Sequence, residues 1–222
     1  MSVSFIIISS LPTKGMKSMG NVGLLKYKKY TIIEKHIEYI LHNYNNAEIV
    51  VVGGFEHRKM QKILEQYNRV KYISHPLSTT SNETQSLCEA LQTIKYNKAV
   101  VINQNCMFAK NFWSKINTRV HKSFLVVNRH KEFTTNMGAI VDGDTLQHMF
   151  FNLPTKSTNI YCLNKKHIEY AKEICTEKLY STYMFEFINL LNNYEKFTIQ
   201  DVNTKKHIII DSVDNYNKAK DI

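Results

Sequence analysis

The amino-acid sequence predicts a single α/β domain over residues 1–222, with a mixed, mainly parallel central sheet. Short and almost uninterrupted apolar runs, such as Val3–Ser9 (VSFIIIS) and 48–52 (EIVVV), are typical of strands buried on both faces of a parallel sheet. Segments with helical spacing alternate with these runs through the first half, which favours right-handed crossovers. Hydrophobic residues make up 43% of the chain, and its 7 glycines and 3 prolines do not provide for a long flexible linker.

The first half supplies four predicted strands, separated by a loop and three helices. Residues 10–23 follow the first strand and are polar and glycine-containing, which predicts a loop. Thr31 is the predicted N-cap of the first helix, because Glu34 stands three residues later and completes a capping box. The remaining strands are predicted at 48–52, Val70–Ser74 and 99–102, and the remaining helices at about 60–67 and after the N-cap Asn82.

The second half has a mixed pattern and no internal repeat. Strands are predicted at 124–127, 138–141 and 206–210, helices at about 168–174 and 185–191, and a short final helix after Ser212. None of the histidines forms a zinc-binding spacing, so a zinc site is not expected.

The formal net charge of +10 favours anionic partners, although lysines spread along a whole chain are also typical of a solvated surface. No recognised motif and no contiguous basic stripe indicates a nucleic-acid partner. The cysteines form no C-x-x-C pair and adjoin apolar runs, which predicts buried free thiols in a reducing compartment. They are Cys88, Cys106, Cys162 and Cys175.

The first ten residues lack a basic region before their short apolar run, so we interpret them as a strand rather than a signal peptide. No apolar stretch approaches the length of a membrane span. These features predict a cytoplasmic location, in a cell or a virus-infected cell, with a virus particle as a further setting.

Three segments resemble the nucleotidyltransferases that activate sugar phosphates or phosphocholine, and the CTP:phosphocholine cytidylyltransferase-like group most of all. They are 24–40 (LLKYKKYTIIEKHIEYI), 82–91 (NETQSLCEAL) and 208–220 (IIIDSVDNYNKAK). The resemblance covers about 5–222 and implies a three-layer, Rossmann-like nucleotidyltransferase (GT-A-like) fold. It also implies a nucleotide or a small phosphorylated ligand, with Mg²⁺ as the cofactor of transfer.

The resemblance assigns site residues one by one. Asp211 falls on the metal-binding Asp that ends the family's C-terminal strand. Asn82 and Ser86 fall in the segment that opens a helix near the nucleotide. Ser10 and Leu11 begin the loop that handles the triphosphate in the family, and we take them as candidate ligand contacts.

The loop after the first strand departs from the family pattern. Leu11 and Thr13 stand where glycines are expected, and Val22 stands where the lysine of a Pro-Lys pair is expected. A valine cannot balance phosphate charge, whereas glycines let backbone N–H groups approach it. Lys14 and Lys17 lie in the same loop and are the candidate catalytic, phosphate-contacting residues, in a register that is not the family's.

The fourth strand departs as well, because it ends in Asn103-Gln104-Asn105 where the family has an acidic D-x-D pair. Asn103 and Asn105 are retained as candidate ligand contacts, since ligands of open α/β sheets bind at the carboxyl edge. Neutral amide oxygens replace carboxylates poorly on Mg²⁺, which leaves Asp211 alone among the matched metal ligands. The resemblance therefore implies Mg²⁺ as a cofactor, whereas Asn103 and Asn105 argue against a magnesium site.

Each candidate also has a structural interpretation. Asp211 suits the turn before a helix capped by Ser212, and Asn82 is most simply a helix N-cap. Asn103 and Asn105 suit a polar loop, and exposed lysines are common in loops such as that of Lys14 and Lys17. Aromatic residues after the fourth strand could stack on a base, but core packing is their default interpretation. They are Phe108, Phe112 and Trp113.

Four functions stay open at this point, and the altered residues favour the second. The first is an active nucleotidyltransferase, with Asp211 on the metal and Lys14 or Lys17 on phosphate. The second is a degenerate relative that binds a nucleotide or a phosphorylated ligand, or that serves protein partners in an assembly such as a virus particle. The third is a nucleic-acid binder, and the fourth is a glycosyltransferase, which the lost D-x-D pair weakens equally.

Overall fold

The structure is a computed structural model that describes residues 2–13, 15–74, 82–132, 135–176 and 181–222. Its strands are β1 (Val3–Ser9), β2 (Lys26–Tyr27), β3 (Tyr30–Thr31), β4 (Ala47–Gly53), β5 (Val70–Ser74), β6 (Ala99–Asn103), β7 (Cys106–Phe108), β8 (Phe124–Asn128), β9 (Met137–Asp142), β10 (Thr145–Phe151), β11 (Thr155–Leu163), β12 (Thr198–Asp201) and β13 (His207–Ile209). Its α-helices are α1 (Ile32–Asn43), α2 (His57–Leu64), α3 (Glu83–Leu91), α4 (Lys165–Ile174), α5 (Met184–Tyr194) and α6 (Val213–Ala219).

Nine strands form the central sheet, in the order β5-β4-β1-β6-β11-β8-β12-β10-β9. The first four strands of this order are parallel to one another, and so are β8 and β12. Strand β11 pairs with β6, β8 and β9, and all three pairings are antiparallel. Since β9 pairs with both β10 and β11, strands β8 to β12 close into a five-stranded ring.

Side chains of the parallel strands alternate between two apolar clusters on opposite faces of the sheet. Ile6 and Ile8 of β1 pack with α3, α4 and α5 on one face. Phe5 and Ile7 pack with α1 and α2 on the other face. Both sets are buried, as the uninterrupted apolar composition of β1 requires.

A third apolar cluster covers the loop after β1. It combines Met16 and Val22 of that loop with Met107 of β7 and with Ile210 and Tyr216 near the C-terminus. The chain end therefore packs against the first loop, although the two are almost 200 residues apart. Strand β13 pairs with β7 in a separate two-stranded sheet, so the predicted strand at 206–210 is present but lies outside the main sheet.

Most predicted elements are confirmed, including the N-caps. The Thr31 hydroxyl accepts from the Glu34 amide at 3.4 Å, and the Glu34 carboxylate accepts from the Thr31 amide at 2.6 Å, which completes the capping box. Asn82 accepts from the Gln85 amide at 3.1 Å, and Ser212 caps α6. The mixed sheet is confirmed too, but "mainly parallel" is wrong, because five of the nine pairings of the described sheet are antiparallel.

The prediction of free thiols is wrong for two cysteines. Cys88 and Cys175 form a disulfide whose Cα atoms lie 5.7 Å apart, because α3 packs against the end of α4. Their separation of 87 residues carries no local signal of pairing. The prediction is confirmed for Cys106 and Cys162, which are buried and free.

Within the described ranges, no helix has both the length and the apolar character needed to cross a membrane.

Candidate functional site

A cleft lies at the carboxyl edge of the parallel strands. It consists of two adjoining cavities, of about 250 Å³ and about 280 Å³. Five residues line both cavities: Ile8, Glu83, Asn103, Asn105 and Asp211. The structure thus brings together three residues that the sequence singled out, from β6, from the turn after it and from the C-terminal segment.

Asn103 is joined to a carboxylate that the sequence analysis missed. Its side-chain amide donates a hydrogen bond to Oε1 of Glu83, the first residue of α3. Glu83 as a residue is half-buried, but its carboxyl group lies deep among protein atoms. Burial raises the pKa of Glu83, and the hydrogen bond from Asn103 opposes that shift. Glu83 directly follows the predicted N-cap Asn82, and this position in the sequence could have indicated it as a site residue.

Gln104, between the two asparagines, is buried and holds the first loop in place. Its Oε1 accepts hydrogen bonds from the Ser9 hydroxyl and, at 2.9 Å, from the Gly23 amide. Its Nε2 donates to the Leu11 carbonyl at 3.2 Å. Gln104 therefore has a structural role, because removing its side-chain amide would leave buried polar groups without hydrogen-bond partners.

The first loop is closed by further contacts. Asn21 is buried, its Nδ2 donates to the carbonyls of Ser9 and Phe55 at 3.0 Å each, and its backbone amide donates to Glu56 at 2.7 Å. Val22 is fully buried in the third apolar cluster. The side chain at the position where the resemblance expects a lysine therefore points into apolar packing.

Asn105 and Asp211 are held more loosely. The Asn105 backbone N–H donates to Oδ1 of Asn103 at 3.3 Å, and the Asn105 backbone carbonyl accepts from the Ile210 backbone N–H at 2.8 Å. Asp211 is exposed, and its Oδ1 accepts from Nδ2 of Asn215 at 2.8 Å. Asp211 therefore lies at the mouth of the cleft and also stabilises the first turn of α6.

The other predicted site residues lie at different distances from the cleft. Leu11 lines the loop side. Ser10 and Ser86 are buried, and their hydroxyl oxygens lie 2.6 Å apart in a hydrogen bond that joins the start of the first loop to α3. Asn82 caps α3, and Lys17 is exposed in a short 3-10 helix that lines neither cavity. Lys14 lies outside the described residues.

Aromatic side chains form a wall of the cavity that has no lining residue from the first loop. They come from the ring strands and from the start of α5, and they are Phe151, Tyr161, Tyr183 and Phe185. Phe151 and Phe185 meet edge to face with ring centroids 5.2 Å apart. Phe108, Phe112 and Trp113 belong instead to the buried core, so their default interpretation is confirmed.

The charged side chains among the described lining residues are both acidic, namely Glu83 and Asp211. The cleft lining thus has the opposite sign to the net charge of the chain, which is +10. Two carboxylates repel a polyphosphate unless cations are present between them.

The donor set does not suit Mg²⁺. One Glu83 oxygen accepts from the Asn103 amide, and the Asn103 oxygen accepts from the Asn105 amide. A metal ligand must be ionised, and burial raises the pKa of Glu83, so that the ionised form is less favourable there than in water. The part of the chain that the structure describes also holds no group of three or more His, Cys, Asp or Glu side chains placed around a common point.

A separate cavity of about 360 Å³ lies between α6 and the segments that follow β8 and precede β13. Its lining includes Glu132, Lys205 and His207, and it shares no lining residue with the cleft. The Lys205–Glu132 ion pair, at 2.8 Å, crosses this region.

Solved structures share this architecture over the whole chain. The inositol-1-phosphate CTP transferase from T. maritima matches with a TM-score of 0.81 and 10% identity, covering 98% of this chain and 94% of that one. The chain has the nucleotidyltransferase fold. The CTP:phosphocholine cytidylyltransferase from Streptococcus pneumoniae matches with a TM-score of 0.76 and 14% identity, over 100% and 99% of the two chains.

A nucleoside-diphosphate-sugar pyrophosphorylase from Vibrio cholerae also matches, with a TM-score of 0.71 and 12% identity, over 98% of this chain and 100% of that one. No protein-family model and no curated protein matches the sequence. A shared fold at such low sequence identity does not establish a function, so the function is argued from the residues of the cleft.

Proposed function

We propose that the protein is a degenerate nucleotidyltransferase-like protein, which binds a nucleotide or a sugar-phosphate-like or choline-phosphate-like ligand in the cleft with weak or no transfer activity. The finer classification as a three-layer, GT-A-like fold belongs to the same proposal. So does a cytoplasmic location, in a cell or a virus-infected cell, with a virus particle as the alternative.

The observation that carries the proposal is the burial of Val22. Nucleotidyl transfer needs fixed positive charge against the phosphates, since charge develops there during the displacement. Val22 replaces the expected lysine, and the pocket around it is apolar and closed. No small rotation would bring a cation to that position, because Asn21 and Gln104 pin the loop on both sides.

Metal-independent binding is part of the proposal. Asn103 and Asn105 both line the cleft and carry side-chain amides; that of Asn103 donates to Glu83, and the backbone N–H of Asn105 donates to Oδ1 of Asn103. We infer that these amides, together with the aromatic wall, recognise the ligand by hydrogen bonds and stacking rather than through Mg²⁺.

Calorimetry tests this proposal with cytidine, CMP and CTP, each with Mg²⁺ and with EDTA. We expect binding that changes less than about twofold on chelation, because no step of recognition uses the ion. Affinity should not increase from CMP to CTP, since the described lining offers carboxylates to the added phosphates. Binding of CTP alone, and only with Mg²⁺, would contradict the proposal.

An active enzyme is the second candidate, favoured by the presence of Glu83 and Asp211 in one cleft. In that case Asp211 would hold Mg²⁺, and Lys14 or Lys17 would contact phosphate.

An assembly role is the third candidate, favoured by exposed aromatic residues at the rim. Phe150 is 50% exposed, Phe151 44% and Tyr183 63%, as is common where proteins dock. Absence of binding by any nucleotide or phosphorylated acceptor would favour this role.

A further inference from the structure

The disulfide joins two chain segments that form one side of the cleft. Cys88 lies in α3, whose first residue is Glu83. Cys175 is the C-cap of α4, and the chain continues from it towards Tyr183 on the aromatic wall. The bond thus ties the segment that presents Glu83 to the segment that leads to Tyr183.

Hydrogen bonds provide a second attachment between the same segments. The carbonyl of Thr182 accepts from Nδ2 of Asn82 at 2.6 Å and from the Thr84 hydroxyl at 2.7 Å. The start of α3 is therefore fixed to the residue before Tyr183, and the middle of α3 is fixed to Cys175. These two attachments bracket the chain between α4 and α5.

The two sulfurs differ in access. Cys88 is 3% exposed and packs in the first apolar cluster, whereas Cys175 is half-buried at the end of its helix. Thiol–disulfide exchange requires a thiolate to reach one of the sulfurs. Cys175 is therefore the position of attack. In a reducing compartment such a disulfide is typically transient.

We propose that the Cys88–Cys175 disulfide is a redox-dependent clamp on the cleft, opened by a dithiol reductant. A thiolate of the reductant attacks Sγ of Cys175, and Cys88 leaves as a thiolate that takes up a proton. The second thiol of the reductant then releases Cys175 as a thiol. The reductant ends as a disulfide, so that two electrons and two protons pass to the protein.

Opening the clamp removes a cross-link that closes a long stretch of chain. The hydrogen bonds at Thr182 and the apolar contacts between α3, α4 and α5 remain, so we expect local loosening rather than unfolding. Looser packing around Cys88 lets α3 shift about its remaining attachment at Thr182, which changes the position of Glu83 relative to Tyr183. The affinity of the cleft for its ligand decreases as a result, and this last step rests on the proposed function.

Hydrogen exchange with mass spectrometry on the full chain tests the clamp, with and without a dithiol reductant. We expect amides of α3 and α5 to exchange about tenfold faster after reduction, while α1, on the opposite face, is unchanged. The variant Cys88→Ser/Cys175→Ser is the matched control, which should exchange rapidly in α3 without reductant and respond no further to it.

Two results would overturn the clamp: four alkylatable thiols in the unfolded, unreduced protein, or unchanged exchange in α3 after complete reduction. Calorimetry with CTP in both redox states separates this inference from the proposed function. Weaker CTP binding after reduction supports both. If neither state binds CTP, phosphocholine or a sugar 1-phosphate, the proposed function fails, and the exchange result still decides on the clamp.

Discussion

Asn103 donates its side-chain amide to the carboxylate of Glu83, so that the last residue of β6 and the first residue of α3 are joined inside the cleft. This pair differs in two ways from the acidic strand end that the resemblance implies. The strand end offers an amide instead of a carboxylate, and the nearby carboxylate is occupied by that amide. The charge that remains is partly desolvated, since burial raises the pKa of Glu83.

Replacing Asn103 with Asp tests this relationship. Two carboxyl groups would face each other in a buried setting, so Asn103→Asp should lower the free energy of unfolding by about 1–3 kcal/mol at pH 7. The like-charge contact raises the folded-state pKa of the pair above its unfolded value. The penalty is therefore small below about pH 4 and grows as the pH rises.

Urea denaturation at several pH values measures this difference, with Asn103→Ala as the matched control. The alanine variant loses the same hydrogen bond, which lowers the pKa of Glu83, but it adds no charge, so its deficit should grow with pH less steeply than that of Asn103→Asp. A deficit of Asn103→Asp that does not depend on pH would show that Glu83 and residue 103 do not interact as described.

Introducing the expected lysine at Val22 should not restore a phosphate site. Val22 is fully buried among Met16, Tyr27 and Ile210, and a lysine there loses its hydration without gaining a partner. We expect Val22→Lys to lower the free energy of unfolding by about 3 kcal/mol or more, measured by urea denaturation. Met19→Lys is the control in the same loop, since Met19 is 40% exposed and should change stability by less than about 0.5 kcal/mol.

A stable Val22→Lys variant that gained tight binding of CTP would show that the first loop can open around a cation. The closed loop, and with it the interpretation of a degenerate site, would then be wrong.

His36 makes the fold sensitive to acid. Its Nε2 donates to the Gln104 carbonyl at 3.3 Å, and burial lowers its pKa from 6.5 to about 4, an effect that this hydrogen bond partly opposes. As the pH falls from 6.5 to about 4, the unfolded chain binds a proton that the folded chain does not. The contribution of His36 to the free energy of unfolding should therefore decrease by up to about 1.4 kcal/mol per pH unit in this range.

Burial, with a smaller effect of His36, lowers the pKa of His207 to about 3, so the two histidines act in the same direction. The variant His36→Gln keeps a donor for the Gln104 carbonyl and cannot titrate in this range, so its stability should fall less steeply below pH 6.5. His42→Gln, at an exposed position of the same helix, is the control and should keep the slope of the wild-type protein. Equal slopes for all three proteins would contradict the assignment.

The sequence predicted those parts of the fold that local rules determine. The Thr31–Glu34 capping box and the Asn82 cap follow from side-chain hydrogen bonds within a few residues, and both are present. Strands β10 and β11 were not predicted. Their pairing registers shift between Leu146 and His148 and between Ser157 and Ile160, and such irregularities interrupt the alternation by which strands are recognised.

The candidate site was predicted in part. The edge of the sheet and the positions of Asn103, Asn105 and Asp211 followed from strand ends, and these residues do share a cleft. Glu83 was not predicted, although it lies in the segment 82–91, because the interaction of an acidic residue with the helix dipole already explains its position after an N-cap. The ring of β8 to β12 and the disulfide depend on pairings far apart in the chain, which no short pattern encodes.

The proposed loss of metal-assisted transfer is tested most directly by pyrophosphate release. The protein is mixed with Mg²⁺, each of the four nucleoside triphosphates, and phosphocholine or a sugar 1-phosphate, and Asp211→Asn is measured in parallel. We predict no release above the protein-free background for either protein, because Val22, Asn103 and Asn105 supply no fixed charge to the phosphates or the ion. Release that requires Mg²⁺ and is lost in Asp211→Asn would contradict that claim.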